Sequence, residues 1–266
     1  MIRTNKIKKV ISASRRLEMV GFFPEKLADF LTRRCPPDTV HTVVLWSKSP
    51  GPLIDNAALR SALRRYDQLF LHFTLTGMGA TFLEPGIPSV ETGLGYLDRL
   101  IDWIGGPERI RVRFDPIVHL KHPDDSTSSN LDQFMPIASA VRKAGIENIV
   151  VSWMASYPKV VRRLAQSGLS AVELNLEEWK GESDRLFAEA RCIGVSLSGC
   201  CVQGLPVSKC IDGSLLSRLH PQKDPASVLK AKGQRLHCGC TESWDIGWYS
   251  PCPGGCLYCY ARPVGK

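Results

Sequence analysis

The sequence lacks the features that would mark a membrane or secreted protein. No apolar stretch approaches the roughly 18 residues that a bilayer-spanning helix needs. The first nine residues are basic, and only a short apolar stretch separates them from Arg15 and Arg16, so there is no secretory hydrophobic region. We therefore expect a cytoplasmic protein with no membrane partner.

Several binding signatures are missing as well. The sequence has no RNA-binding motif and no zinc finger with paired histidines, and its six histidines show no ligand spacing. Gly77 and Gly79 lack the third glycine and the helix start of a dinucleotide-binding fingerprint. The net charge of +8 is dispersed along the chain. It fits an anionic small molecule or a nucleic acid as partner, and equally an ordinary solvated surface.

What the sequence does have is cysteine, ten in all, and their placement is uneven. A disulfide framework is not expected, because the cytoplasm keeps thiols reduced. Cys35 and Cys192 stand apart. A cluster of eight in one terminal segment is better explained by metal ligation than by packing. These eight are Cys200, Cys201, Cys210, Cys238, Cys240, Cys252, Cys256 and Cys259.

The first three quarters of the chain alternate between strand and helix patterns. Strands are predicted at 10–14, 41–46, 69–74, 110–114, 149–153, 171–175 and 194–198. Helices are predicted at 22–31, 56–65, 89–104, 131–144, 159–166 and 183–190. Such alternation implies right-handed parallel crossovers. The predicted fold class is α/β, a TIM-like partial or complete parallel (β/α) barrel, with a doubly wound open sheet as the second choice.

After residue 198 the alternation stops. Residues 199–266 are rich in Cys, Gly, Pro and Trp, and only 215–219 and 226–230 have a helical pattern. This composition is too apolar for a disordered linker. We predict two parts, a barrel at 1–198 and a Cys-rich iron–sulfur-binding segment at 199–266 that lies over the barrel mouth.

The end of the chain carries the most specific motif. Cys252, Cys256 and Cys259 are spaced C-x3-C-x2-C, with Tyr258 directly before the last cysteine. Three thiolates on one loop can hold three irons of a [4Fe–4S] cube and leave the fourth iron open. The glycine pair at 254–255 lets the backbone pass close to the cluster.

This motif resembles that of the radical SAM superfamily, and the ending Tyr258-Cys259-Tyr260-Ala261 is similar to the spore photoproduct lyase branch. The resemblance implies S-adenosylmethionine as a second cofactor, bound at the open iron. It also implies reductive cleavage to a 5′-deoxyadenosyl radical, with ferredoxin or flavodoxin as the electron donor. The substrate is unidentified, and the net positive charge favours an anionic one.

The motif's position departs from that superfamily, in which it follows the first barrel strand. Here it follows the last. Either the barrel is circularly permuted, with residues 243–248 supplying a short strand before the loop, or the site only braces the tail. A structural zinc would need a fourth ligand, for which Cys238 or Cys240 would serve. The alternative functions are a non-catalytic iron–sulfur protein for electron transfer or nucleic-acid binding, and a barrel hydrolase with a zinc tail.

The chain also resembles an uncharacterised bacterial family known as domain of unknown function 1848, for which no activity is implied. The matching pieces are residues 11–16, 46–50, 73–77, 113–116, 209–213, 238–240 and the terminal motif. Cys200, Cys201, Cys210, Cys238 and Cys240 are enough ligands for a second metal site, although some of them would alternatively serve the first site or only pack.

The predicted strand ends supply the remaining candidates, because active sites of parallel barrels lie at the carboxyl ends of the strands. Lys48, Arg113 and Asp115 are the candidate catalytic residues. The candidate cofactor-binding residues are Tyr258, Thr74, Thr76, Glu173 and Asn175. Arg111 and Arg113 alternate with apolar residues and so point to one face, where Asp115, Glu173 or an anionic ligand would have to neutralise them. We predict that residues 238–261 fold back over these strand ends.

Overall fold

The structure is a computed structural model that describes residues 7–261. Strands and helices alternate through most of this range, as the sequence predicts. The strands are β1 (Lys9–Ala13), β2 (Val40–Ser47), β3 (Leu69–Thr74), β4 (Ile110–Ile117), β5 (His119–Lys121), β6 (Thr127–Ser129), β7 (Asn148–Trp153), β8 (Ser170–Ala171), β9 (Ser196–Gly199) and β10 (Trp244–Asp245).

The helices are short, and several have clear end signals. Asn56 caps the start of α4, and Gly105, with φ of +93°, ends α6 in the left-handed conformation. The helices are α1 (Met19–Phe22), α2 (Pro24–Arg34), α3 (Gly51–Asp55), α4 (Ala57–Leu63), α5 (Val90–Leu94), α6 (Leu97–Ile104), α7 (Phe134–Lys143), α8 (Pro158–Gln166), α9 (Leu176–Cys192) and α10 (Gly213–Leu219). None of the described helices combines the length and apolar character needed to cross a bilayer.

Seven strands form one parallel sheet, in the order β10-β1-β2-β3-β4-β7-β9. β5, β6 and β8 form a small antiparallel sheet beside it. The α/β class with a mostly parallel sheet is therefore confirmed. The pairing order ends at β9 and β10, and no closed barrel is detected among the described residues.

The two faces of the parallel sheet are covered by different parts of the chain. Alternate strand residues such as Val43, Leu71 and Val112 pack on the helices α1 to α7 and α9 and form the main core. On the other face, Val44 and Phe70 pack against residues of the Cys-rich segment, including Leu216 of α10. The segment after β9 thus occupies the place that a second helical layer would take in a doubly wound fold.

The predicted strand at 171–175 is wrong. Only Ser170–Ala171 is extended, and it pairs antiparallel with β5 in the small sheet. The competing signal is a capping box: the Asn175 side chain accepts from the backbone of Glu178, whose carboxylate accepts from the Asn175 backbone. Helix α9 therefore begins at Leu176, seven residues before the predicted start at Ser183.

Candidate functional site

The carboxyl ends of five neighbouring strands open into one cavity of about 240 Å³. Ser14, Trp46, Thr74, Arg113 and Ser152 supply lining side chains at the ends of β1, β2, β3, β4 and β7. The opposite wall comes from residues 250–261, at the described end of the chain. The tail and the polar strand ends, far apart in the sequence, therefore line one cavity.

The three terminal cysteines lie on a loop, residues 252–259, which we call the cysteine loop. Its backbone is fastened to the segment 83–87: Gly86 N donates to Gly254 O at 3.2 Å, and Leu257 N donates to Leu83 O at 3.0 Å. The guanidinium of Arg163 on α8 donates to the carbonyls of Leu257 and Cys259. These bonds fix the loop on its outer side and leave its cysteines facing inward.

Cys252, Cys256 and Cys259 all line the cavity. Burial raises the pKa of the Cys252 thiol, and it raises the pKa of Cys256 to about 12. A thiol with so high a pKa needs a strong positive partner, such as a metal, to become a thiolate.

Two features of the loop fit a bulky thiolate-bound cluster. Gly255 has a φ of +64°, which turns the chain between the cysteines. A Cβ on Gly254 would lie 3.5 Å from the Cys252 sulfur and 3.0 Å from Ile87, so glycine keeps the backbone tight against this wall. The donor chemistry and the shared cavity thus fit a [4Fe–4S] cube.

Tyr258, the aromatic residue of the motif, belongs to a buried charge network. Lys48 Nζ donates to Tyr258 Oη at 2.6 Å and to Glu84 Oε1 at 2.5 Å. Glu84 is only 1% exposed. Burial lowers the pKa of Lys48, but the attraction of Glu84 and of Cys256 outweighs it, so its pKa is raised overall. Lys48 is therefore a fixed cation beside the cysteine loop.

A second network lies on β4. Arg113 forms an ion pair with Asp115, and the Ser152 hydroxyl donates to the same carboxylate. The other arm of Arg113 donates to Cys210 Sγ at 2.9 Å. Arg111, on the same face of the strand, donates to Lys209 O at 2.7 Å. Asp115 thus neutralises Arg113, and a backbone carbonyl accepts a hydrogen bond from Arg111. The contacts with Arg113 and Ser152 fix the orientation of the Asp115 carboxylate, which lines the cavity.

The remaining five cysteines of the segment meet behind Arg113. In order of contact they form a row, which we call the thiol row. Its members are Cys238, Cys201, Cys200, Cys210 and Cys240. Among residues 7–261, no group of three or more His, Cys, Asp or Glu side chains is arranged around a single metal-ion position. Metal ligation by either cysteine set therefore stays a prediction.

Three of the predicted cofactor-binding residues lie outside the cavity lining. Thr76 is buried beneath it, where its hydroxyl donates to Glu84 at 2.9 Å. Glu173 lines a separate pocket beside Trp153 and Trp179, and Asn175 caps α9. Placing Glu173 and Asn175 at a strand end was wrong, because residues 172–175 belong to no strand of the parallel sheet.

Sequence reasoning missed Glu84 and Arg235. Glu84 anchors Lys48, while the exposed Arg235 lines the cavity and donates to Cys200 Sγ at 3.6 Å. Both lie in irregular loops, where no strand or helix periodicity indicates which side chains are buried. For Glu84 the sequence offers one signal, which is a lone carboxylate between the apolar Leu83 and Pro85.

Comparison with known proteins supplies a family and no activity. No curated protein and no solved structure matches the chain. A family model described as "Domain of unknown function (DUF1848)" matches residues 20–261. This range takes in β2 to β10, most of the cavity lining and the cysteine loop, far more than half of the sequence. The chain therefore belongs to the DUF1848 family.

Proposed function

We propose that the protein is a radical SAM-type enzyme that binds a [4Fe–4S] cluster through Cys252, Cys256 and Cys259. The observation that carries the proposal is the shared cavity: all three cysteines of a C-x3-C-x2-C loop face the polar ends of the parallel strands. A cluster that only braced the tail would not need access to those strand ends.

The position of β10 supports this reading. β10 pairs in parallel with β1 at the edge of the sheet, and the cysteine loop is the next cysteine-bearing stretch after it, beyond residues 246–251. Asp245 fixes this edge by accepting from Ser12 Oγ at 2.9 Å and from Arg15 N at 3.1 Å. In spatial order the motif thus follows the first strand, as in the superfamily it resembles. We infer a circularly permuted partial barrel.

The chemistry would come from the cofactors, and the chain would supply position and charge. When bound, the cluster and S-adenosylmethionine would supply a 5′-deoxyadenosyl radical after reduction by a donor such as ferredoxin or flavodoxin. Lys48 would place a cation next to the cluster and orient Tyr258. Arg113, Asp115 and Ser152 would orient a substrate at the opposite wall, with Thr74 between the two.

The surplus of cations in the lining favours an anionic substrate. Arg113, Lys48 and Arg16 are each paired with a carboxylate, Asp115, Glu84 and Asp245 respectively. Arg15 lines the same cavity and lies over the ring of Trp46, at 5.6 Å, with no carboxylate within salt-bridge distance among the described residues. A substrate with an anionic group beside a planar ring would complement Arg15 and Trp46, because the anion would pair with the guanidinium and the ring would stack beside it.

The test is the production of 5′-deoxyadenosine. Protein purified without oxygen and reconstituted with iron and sulfide is incubated with S-adenosylmethionine and dithionite, and the nucleoside is measured by mass spectrometry. We expect product from the wild type and from the matched control Cys192→Ala, since Cys192 is exposed and does not line the cavity. Cys252→Ala, Cys256→Ala and Cys259→Ala should each lose the broad visible absorbance and the product, because two thiolates hold a cube poorly.

Three outcomes would overturn the proposal. Brown protein that contains iron and sulfide but yields no 5′-deoxyadenosine would be a non-catalytic iron–sulfur protein. Colourless protein that holds zinc at the cysteine loop would favour a structural site. Full iron content in all three single variants would exclude these cysteines as ligands.

A further inference from the structure

The thiol row brings together cysteines from three separate stretches of chain, at 200–201, 210 and 238–240. Cys210 Sγ lies 3.9 Å from Cys200 Sγ and beside Cys240. Cys201 lies beside Cys200 and Cys238. A row of five thiols is poor packing material, because each replaces the branched side chains that fill a core.

The stretch that carries the row has little regular structure to hold it. Between β9 and β10 the chain forms only α10 as a regular element, yet it covers one face of the parallel sheet. Irregular segments of this kind gain stability when cross-links or metals join their distant parts. Cys210 and Cys240 are buried at the centre of this cover, next to Val44 and Phe70.

The spacing and the charge of the row suit a metal. In a tetrahedral tetrathiolate site with metal–sulfur bonds of about 2.3 Å, neighbouring sulfurs are about 3.8 Å apart, close to the Cys200–Cys210 distance. Arg113 donates to Cys210 at 2.9 Å, and Arg235 donates to Cys200 at 3.6 Å. Hydrogen bonds to the ligand sulfurs are a usual part of metal–thiolate sites. The backbone N–H of Ile211 donates to Cys240 in the same way, at 3.4 Å.

We infer that the thiol row is a second metal centre, separate from the cysteine loop, which binds iron or zinc through four of its thiolates. Cys200, Cys210 and Cys240 form its fixed part, because all three pack with the core residues beside Val44 and Phe70, and Arg113 donates to Cys210. The fourth ligand comes from Cys201 or Cys238, at the more exposed end of the row. For the sulfurs to surround one ion, this end must turn inward, and residues 232–237 before Cys238 are exposed, which leaves room for the turn.

This inference does not rest on the proposed function, and the first experiment separates the two. The triple variant Cys252→Ala, Cys256→Ala, Cys259→Ala is purified without oxygen, and iron, zinc and acid-labile sulfide are measured per chain. We expect about one equivalent of zinc or at least one of iron to remain. Iron with sulfide would identify a cluster, while zinc or sulfide-free iron would identify a mononuclear site. Folded triple variant with neither metal, even after incubation with each, would overturn the inference.

A second series locates the ligands. In the triple-variant background, Cys210→Ala and Cys240→Ala should abolish metal retention, and Cys192→Ala should leave it unchanged. Because the buried substitutions risk unfolding the chain, Cys201→Ala and Cys238→Ala are measured beside them by competition with a chromogenic chelator. One of these two should weaken binding by about 10-fold or more, as expected for loss of a ligand. Unchanged metal affinity in all four variants would place the metal elsewhere and refute the assignment.

Discussion

The residues that line the cavity show how buried charge can be held in place without regular structure. Glu84 lies in a loop and is almost fully buried, where an isolated carboxylate would be costly. Lys48 offsets this cost through its ion pair, and the Thr76 hydroxyl donates a further hydrogen bond to the same oxygen. Removing one partner should therefore cost more than removing both.

We predict that Lys48→Met lowers the free energy of unfolding by about 3–5 kcal/mol, because Glu84 is left as an uncompensated buried charge. The double variant Lys48→Met, Glu84→Gln should recover most of the loss, since the amide still accepts from Thr76. Urea unfolding is measured in the Cys252/Cys256/Cys259→Ala background, so that cluster loss does not contribute.

The matched control for this pair is Lys121→Met. Lys121 forms an exposed ion pair with Asp125, at 2.6 Å, and such pairs contribute about 0–1 kcal/mol. A Lys48→Met variant no less stable than this control, or a double variant less stable than the single one, would contradict the role of Lys48 as the counter-ion of Glu84.

Among the structural elements, the cysteine loop depends on one close approach between two backbones. A Cβ on Gly86 would lie only 2.3 Å from the carbonyl oxygen of Pro253. The atoms that this Cβ would meet belong to the backbone of Pro253 and Gly254, so no flexible side chain could move aside to make room for it. The hydrogen bond from Gly86 N to Gly254 O exists because of this approach.

We predict that Gly86→Ala displaces the cysteine loop and lowers stability by about 1–3 kcal/mol, as overpacking does in tight contacts. Iron bound after reconstitution should fall relative to the wild type, while the far-ultraviolet circular dichroism stays the same. The control is Gly181→Ala in α9, where an added Cβ meets nothing within 4 Å and should stabilise the helix by about 0.5–1 kcal/mol. Undiminished iron binding in Gly86→Ala would mean that the loop binds its metal without this docking.

The elements that the sequence predicted well are those with a long, uniform pattern. β2, β3 and β4 are buried runs rich in β-branched and aromatic residues, and the structure forms them within a few residues of the predicted bounds. The run at 171–175 resembles a strand just as closely, yet the helix cap at Asn175 prevails. One of the two interpretations of the motif's position placed a short strand at 243–248, and the structure has a strand there at Trp244–Asp245, paired with β1.

At the scale of the whole molecule, the Cys-rich segment serves as the second layer of the sheet. The sequence predicted that this segment packs over the mouth of a barrel, and its composition is too apolar for a linker. Composition could not reveal the face of the sheet that it covers or the edge position of β10, because both depend on contacts between residues far apart in the sequence, such as Ser12 and Asp245, which are 233 positions apart. A segment without regular secondary structure has no strand or helix periodicity from which such contacts can be predicted.

This arrangement predicts that residues 1–198 do not fold cooperatively alone. Without the segment, Val10, Val44 and Phe70 lose their cover, and β1 loses its partner β10. Each large apolar side chain contributes about 1.5–3 kcal/mol when buried, so their exposure removes a share comparable with a typical total stability of about 5–15 kcal/mol. We expect the 1–198 fragment to bind an apolar dye and to unfold without a sharp urea transition, whereas co-expression with residues 199–266 should restore the transition of the intact chain. A cooperative transition in the fragment alone, with no dye binding, would instead make the segment an accessory to an independently stable sheet, and its two cysteine sets would then be dispensable for folding.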